Sequence, residues 1–208
     1  MSDRQPSNDA LREGARVSWI SVGWTTVAGS VALSAGVARG SLVLIVFALT
    51  GFLDAAGSLT LALHFRHALK HERISVERER LALRLVSIGL IALGMFTAVE
   101  STRRLVSGAN AERSALGIII AGASIGVLVW LAWRKKAVAP RVPSNALSAD
   151  GTLSATGAAL AVVALLGTAF SSSKELHWVD PAAALVVAVV AAASGIRALR
   201  AEEVSLEG

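Results

Sequence analysis

The sequence predicts an all-α polytopic membrane protein of six transmembrane helices, and three observations carry that reading. First, of 208 residues 54% are hydrophobic and only 17% charged, with a mean hydropathy of +0.61; an ordinary globular domain holds about 25% charged residues. One soluble core of this length could not hide so much apolar surface, and disorder needs the opposite composition. Second, apolar stretches of the length needed to cross a hydrocarbon core, about 20 residues, recur six times between charges. Third, Lys and Arg gather in alternate connections, 15 on one side against 5 on the other.

A polar segment, residues 1–16, precedes the first span at about 17–38, which is too long for a signal-peptide core. The second span covers about 41–65 and contains Asp54. The third, about 83–103, ends at Glu100, Arg103 and Arg104. The fourth, about 114–133, contains no charge and places Gly122 and Gly126 on one face, a spacing that permits close helix packing. The fifth, about 144–171, opens after Pro140 and Pro143 with Ser144 as a cap and holds Asp150 near its start. The sixth, about 180–197, opens on Asp180-Pro181, read as a cap and a first-turn proline. The membrane domain thus spans 17–199, and a short tail, 200–208, is expected to carry no second soluble domain. These segments are apolar nearly all round, whereas helices of a soluble bundle show a polar face. They also lack the alternation of barrel strands.

The charge asymmetry orients the chain. Arg4, Arg12 and Arg16, the segment Arg66–Arg84, the cluster Arg134, Lys135, Lys136 and Arg141, and finally Arg197 and Arg200 fall on one side. That side is expected to be the cytoplasm of a plasma-membrane protein, with both termini inside. The net charge of +5 is therefore topological, directed at lipid headgroups rather than nucleic acid. Trp19, Trp130, Trp133 and Trp178 lie near span ends, as interfacial anchors do. With no cysteine, disulfides, thiolate metal sites and Cys nucleophiles are excluded. No nucleophile–base pair or phosphate loop appears, so an enzyme is not expected.

A carboxylate at membrane depth is a functional-site hypothesis by default. Asp54 lies near the middle of its span, on one helix face with Thr50. It is expected on a cation pathway; the alternative is an acid hydrogen-bonded to Thr50 or Ser58. Asp150, with Ser154 one turn on, is expected as an accessory polar step or as a local hydrogen bond or cap. Glu100 is expected to pair with Arg103 or Arg104. His64, His67 and His71 follow at i, i+3 and i+7, a spacing at which imidazoles can load a divalent metal; the alternative is a polar helix end in water.

Four stretches, Thr50–Leu59, Glu100–Gly108, Ser144–Asp150 and Trp178–Ala184, in this order and spacing, resemble the cation diffusion facilitator (cation efflux) family over about residues 12–200. The resemblance implies a cation-efflux-like bundle, a homodimer, and a transported divalent metal cation as substrate rather than a resident cofactor. It also implies a tetrad of metal-binding positions, which fall here on Thr50, Asp54, Leu153 and Gly157. Of these only Asp54 is a charged ligand type. The expected function is cation transport, with protons exchanged at the buried acid. The alternative is a transport-inactive relative serving as an assembly or regulatory partner in the membrane.

Overall fold

A computed structural model describes residues 7–71, 76–107, 114–142, 144–170 and 178–207. They form six helices: α1 (Asn8–Arg39), α2 (Leu42–His71), α3 (Val76–Ser107), α4 (Ala115–Val138), α5 (Asn145–Phe170) and α6 (Val179–Glu207), with a 3-10 turn at Ala139–Arg141. Five helices are long and apolar enough to cross a bilayer; α6 carries a shorter apolar stretch, Ala184–Arg197.

Polar side chains set the helix ends. The Ser7 hydroxyl accepts from the Ala10 amide at 3.2 Å, and Asp9 sits in the first turn where the helix dipole favours negative charge. The helix therefore starts inside the segment expected to precede the first span, and Ala10, Leu11 and Gly14 are buried. At the other end of α1, Gly40 has φ +62° and its amide reaches back to the Gly36 and Val37 carbonyls. A side chain is strained in that conformation, and the reversal lets α2 begin two residues later. Ser114 and Ser144 cap α4 and α5 by accepting from the Gly117 and Leu147 amides at 3.0 and 3.1 Å. Asp180 does not precede α6: the helix begins one residue earlier, at Val179, and Pro181 lies in its first turn.

The helices pack as antiparallel pairs, α1 with α2, α4 with α5 and α3 with α6. In the last pair a Cβ on Gly94 would lie 2.7 Å from the Ala188 carbonyl, and one on Gly195 would lie 2.6 Å from that of Ser87. Glycine is what lets these backbones touch. Gly122 and Gly126 do not serve the expected packing, since a Cβ on either meets nothing within 4 Å; that face of α4 looks outward.

One cluster unites Leu11, Phe65, Leu83, Val138 and Leu147, which puts the start of α1, the end of α2, the start of α3 and the α4–α5 corner at one end. Because α6 runs antiparallel to α3, its C-terminus returns to that same end. At the opposite end Arg104 donates to the Gly40 carbonyl at 2.7 Å. The outer surface is apolar, with Val27, Ile88, Met95, Ile119 and Val186 exposed, while Ser21, Asp54, Ser58, Ser154 and Lys135 are buried. That inversion suits hydrocarbon as the solvent. Trp19, Trp130, Trp133 and Trp178 are all exposed.

Candidate functional site: a buried ammonium between two carboxylates

Asp54 leaves the middle of α2 and enters the interior, where it is 1% exposed. Its Oδ2 accepts from the Ser21 hydroxyl of α1 at 2.7 Å. Its Oδ1 accepts from the Ser154 hydroxyl of α5 at 2.7 Å and from the Lys135 ammonium of α4 at 3.1 Å. Asp150, one turn before Ser154 and 0% exposed, meets the same ammonium through Oδ2 at 2.8 Å, and that oxygen accepts from the Ser58 hydroxyl at 2.8 Å. Four helices thus converge on one nitrogen.

Lys135 was expected among the cations of the connection after the fourth span. That expectation is wrong. Helix α4 continues past Trp133 to Val138, and Lys135 falls on its inner face with Ser124, Leu128 and Leu131, all buried. A lysine one turn from a helix end ordinarily snorkels outward to water. This one is fully buried, because a side chain on an α-helix leans toward the N-terminus and here the lean carries the ammonium toward two carboxylates. Extending the inner-face period of α4 by one turn would have found it. Ser21 could have been found in the same way, on the small-residue face of α1 with Ser18, Thr25 and Ala28. With Lys135 removed from the loop count, the asymmetry is still 14 against 5.

The expected partners of both acids change accordingly. Asp54 bonds neither Thr50 nor Ser58: the Thr50 hydroxyl donates to its own helix at the Val46 carbonyl, 2.8 Å away, and Ser58 serves Asp150. Asp150 is no cap; Ser144 fills that role, and Asp150 is half of a buried ion pair. Glu100 pairs with both Arg103 and Arg104, at 3.3 and 3.4 Å. Of the three histidines, His64 is buried edge-on against Phe65, with ring centroids 5.5 Å apart. His67 is half-buried, and the His71 side chain lies outside the described residues. Among the described residues, no three His, Asp or Glu side chains gather as a metal site.

A narrow cavity beside the cluster is lined by Thr50, Asp54, Leu153, Ser154 and Gly157, and by Trp24, Phe47 and Leu128. All four positions expected from the resemblance therefore face one cavity, yet Leu153 and Gly157 bring no donor atom. The cation efflux transmembrane domain profile matches residues 18–206 of this chain. The chain belongs to the cation efflux family. No curated protein matches the chain. Members of this family are membrane transporters rather than enzymes, and the bundle of apolar helices agrees with a multi-pass protein in a lipid bilayer. Zinc prefers three or four N, S or O ligands at about 2.0 to 2.3 Å. The four cavity positions of this cation efflux protein do not provide that set, whereas the Asp54–Lys135–Asp150 cluster next to them already holds a cation of the chain's own.

Proposed function

We propose that this cation efflux protein carries a metal cation across the plasma membrane through the interior between α2 and α5. Asp54 is the central ligand, and Thr50, Ser154 and Asp150 line the way. The observation that supports this most is the aim of Asp54. A carboxylate in the middle of a span points neither at lipid nor at its own helix but across to Ser154, 2.7 Å away on α5. Burial of an acid at this depth costs several kcal/mol unless it is paired, so the interior is organised around holding positive charge.

A cation entering this cluster meets positive charge already in place on Lys135. Transport is then an exchange, and the mobile positive charge these side chains supply is a proton. His64, His67 and His71, at the basic end of α2, stand where a divalent cation would load from the cytoplasm. Both termini face the cytoplasm in this reading, and the working unit is a homodimer.

The experiment is flux in proteoliposomes: an imposed gradient of a divalent cation should drive opposite proton movement, and Asp54→Asn should abolish it while the protein remains folded and monodisperse. The enclosure of Lys135, together with Leu153 and Gly157 at two ligand positions, favours a second reading, a transport-inactive membrane partner. Absence of flux with every divalent cation tried would decide for that reading.

A further inference from the structure

We propose that the groove between the basic ends of α1 and α4 binds one anionic phospholipid, with its phosphodiester held by Arg12, Arg16 and Arg134 and its acyl chains laid over Val17, Ile20 and Trp130. The site lies on the outer surface, apart from the buried cluster, and does not depend on transport.

The groove is an open pocket of about 570 Å³, lined by these six side chains together with Asp9 and Glu13. Ligand sites fall at about 300–1,000 Å³. Residues 9, 12, 13, 16, 17 and 20 follow the helical period and form one stripe along α1. The stripe is charged as far as Arg16 and apolar from Val17. On α4, which runs the opposite way, Trp130 is followed one turn later by Arg134. Glu13 pairs with Arg134 across the groove, so both helices pass from apolar to charged at the same level. A charged rim above an apolar floor is the division a phospholipid carries between headgroup and chains, and tryptophan is enriched at that depth.

Charge decides the sign of the headgroup. Each Glu13 oxygen is taken by a guanidinium, Oε1 by Arg134 and Oε2 by Arg141 at 3.1 Å. Four guanidiniums then stand against two carboxylates, Asp9 and Glu13. Arg12 and Arg16 are exposed and make no ion pair among the described residues. They lie four apart on one helix face, where like charges repel, and a phosphodiester between them removes that repulsion. The pocket at the other end of the bundle differs: its Arg103 and Arg104 both pair with Glu100. The apolar floor selects a lipid over a free anion, since Ile20 and Trp130 are both 42% exposed and phosphate alone covers neither. Basic pockets between helices at the membrane surface hold anionic headgroups in this way. A lipid bridging α1 to α4 ties the two helices together, so occupancy is read as stability.

The test uses the full chain in a non-ionic detergent, titrated separately with phosphatidylglycerol, phosphatidylcholine and inorganic phosphate. Native mass spectrometry should show one phosphatidylglycerol retained in preference to phosphatidylcholine. Thermal unfolding should rise with phosphatidylglycerol and saturate. Arg12→Gln/Arg16→Gln should weaken that apparent affinity at least about tenfold. Arg66→Gln/Lys136→Gln removes the same charge from exposed positions at the same end, outside the groove, and should weaken it by less than about threefold. Equal loss in the two double variants leaves only diffuse surface charge and overturns the site. An equal response to phosphatidylcholine overturns the anionic headgroup, and an equal response to inorganic phosphate overturns the lipid. If a double variant does not fold, the three wild-type titrations still decide: no selective, saturating response to phosphatidylglycerol overturns the proposal.

Discussion

At the scale of single residues, the energetics turn on what happens when one member of the Asp54–Lys135–Asp150 cluster is lost. Lys135 and Asp150 are both 0% exposed, so neither can borrow water if its partner disappears. Breaking a buried pair by removing one side costs about 3–5 kcal/mol, whereas replacing the whole set with neutral groups is often nearly neutral. Lys135→Met alone should therefore lower the unfolding temperature in detergent sharply. The triple substitution Lys135→Met, Asp54→Asn, Asp150→Asn should recover most of that loss, a non-additivity of at least ~1 kcal/mol. Additive effects would mean that the three side chains do not act as a unit.

The same scale shows why these roles were only half legible. Asp54 and Asp150 stand out in the sequence because a carboxylate in an apolar run has no cheap explanation. Lys135 does not, because it sits between Arg134 and Lys136, and a cluster of basic residues after a span looks like a loop. Arg134 does behave that way: it stacks on Trp133 at 5.7 Å and pairs with Glu13. Only the turn of the helix separates it from its buried neighbour.

At the scale of elements, glycine positions divide by what faces them. Gly195 of α6 lies against the Ser87 carbonyl of α3, where an added Cβ would stand 2.6 Å away. Gly195→Val should push the two helices apart and destabilise the protein by about 1–3 kcal/mol. Gly122 on α4 faces open space, so Gly122→Ala should be neutral or stabilising by up to about 1 kcal/mol, the helix-propensity gain. A detergent unfolding series of the two variants checks both signs. The sequence marked Gly122 and Gly126 as the packing glycines and passed over Gly94 and Gly195. Spacing alone cannot tell a face that meets another helix from one that meets lipid.

At the scale of the whole molecule, three antiparallel pairs bring residues 8–16, the start of α3 and the end of α6 to one end of the bundle. The chain has no cysteine, so single cysteines report topology against a silent background. An impermeant thiol reagent applied to intact cells should label Val106→Cys, which is exposed at the opposite end. It should leave Asp9→Cys and Arg197→Cys unlabelled until the membrane is opened. Labelling of Asp9→Cys and Arg197→Cys from outside would reverse the orientation, and labelling of one alone would break the even number of crossings.

The amino-acid sequence by itself determined that this chain is helical, where its apolar stretches begin and end, and that acids lie among them. Those properties are local: run length against bilayer thickness, a serine or glycine at a helix end, a charge set in an apolar stretch. The tertiary structure alone decided what those acids hold. The lysine lies 81 residues from Asp54, and Ser58 lies 92 from Asp150. A meeting between helices that far apart is fixed by how their faces turn and pack, and no local period records it.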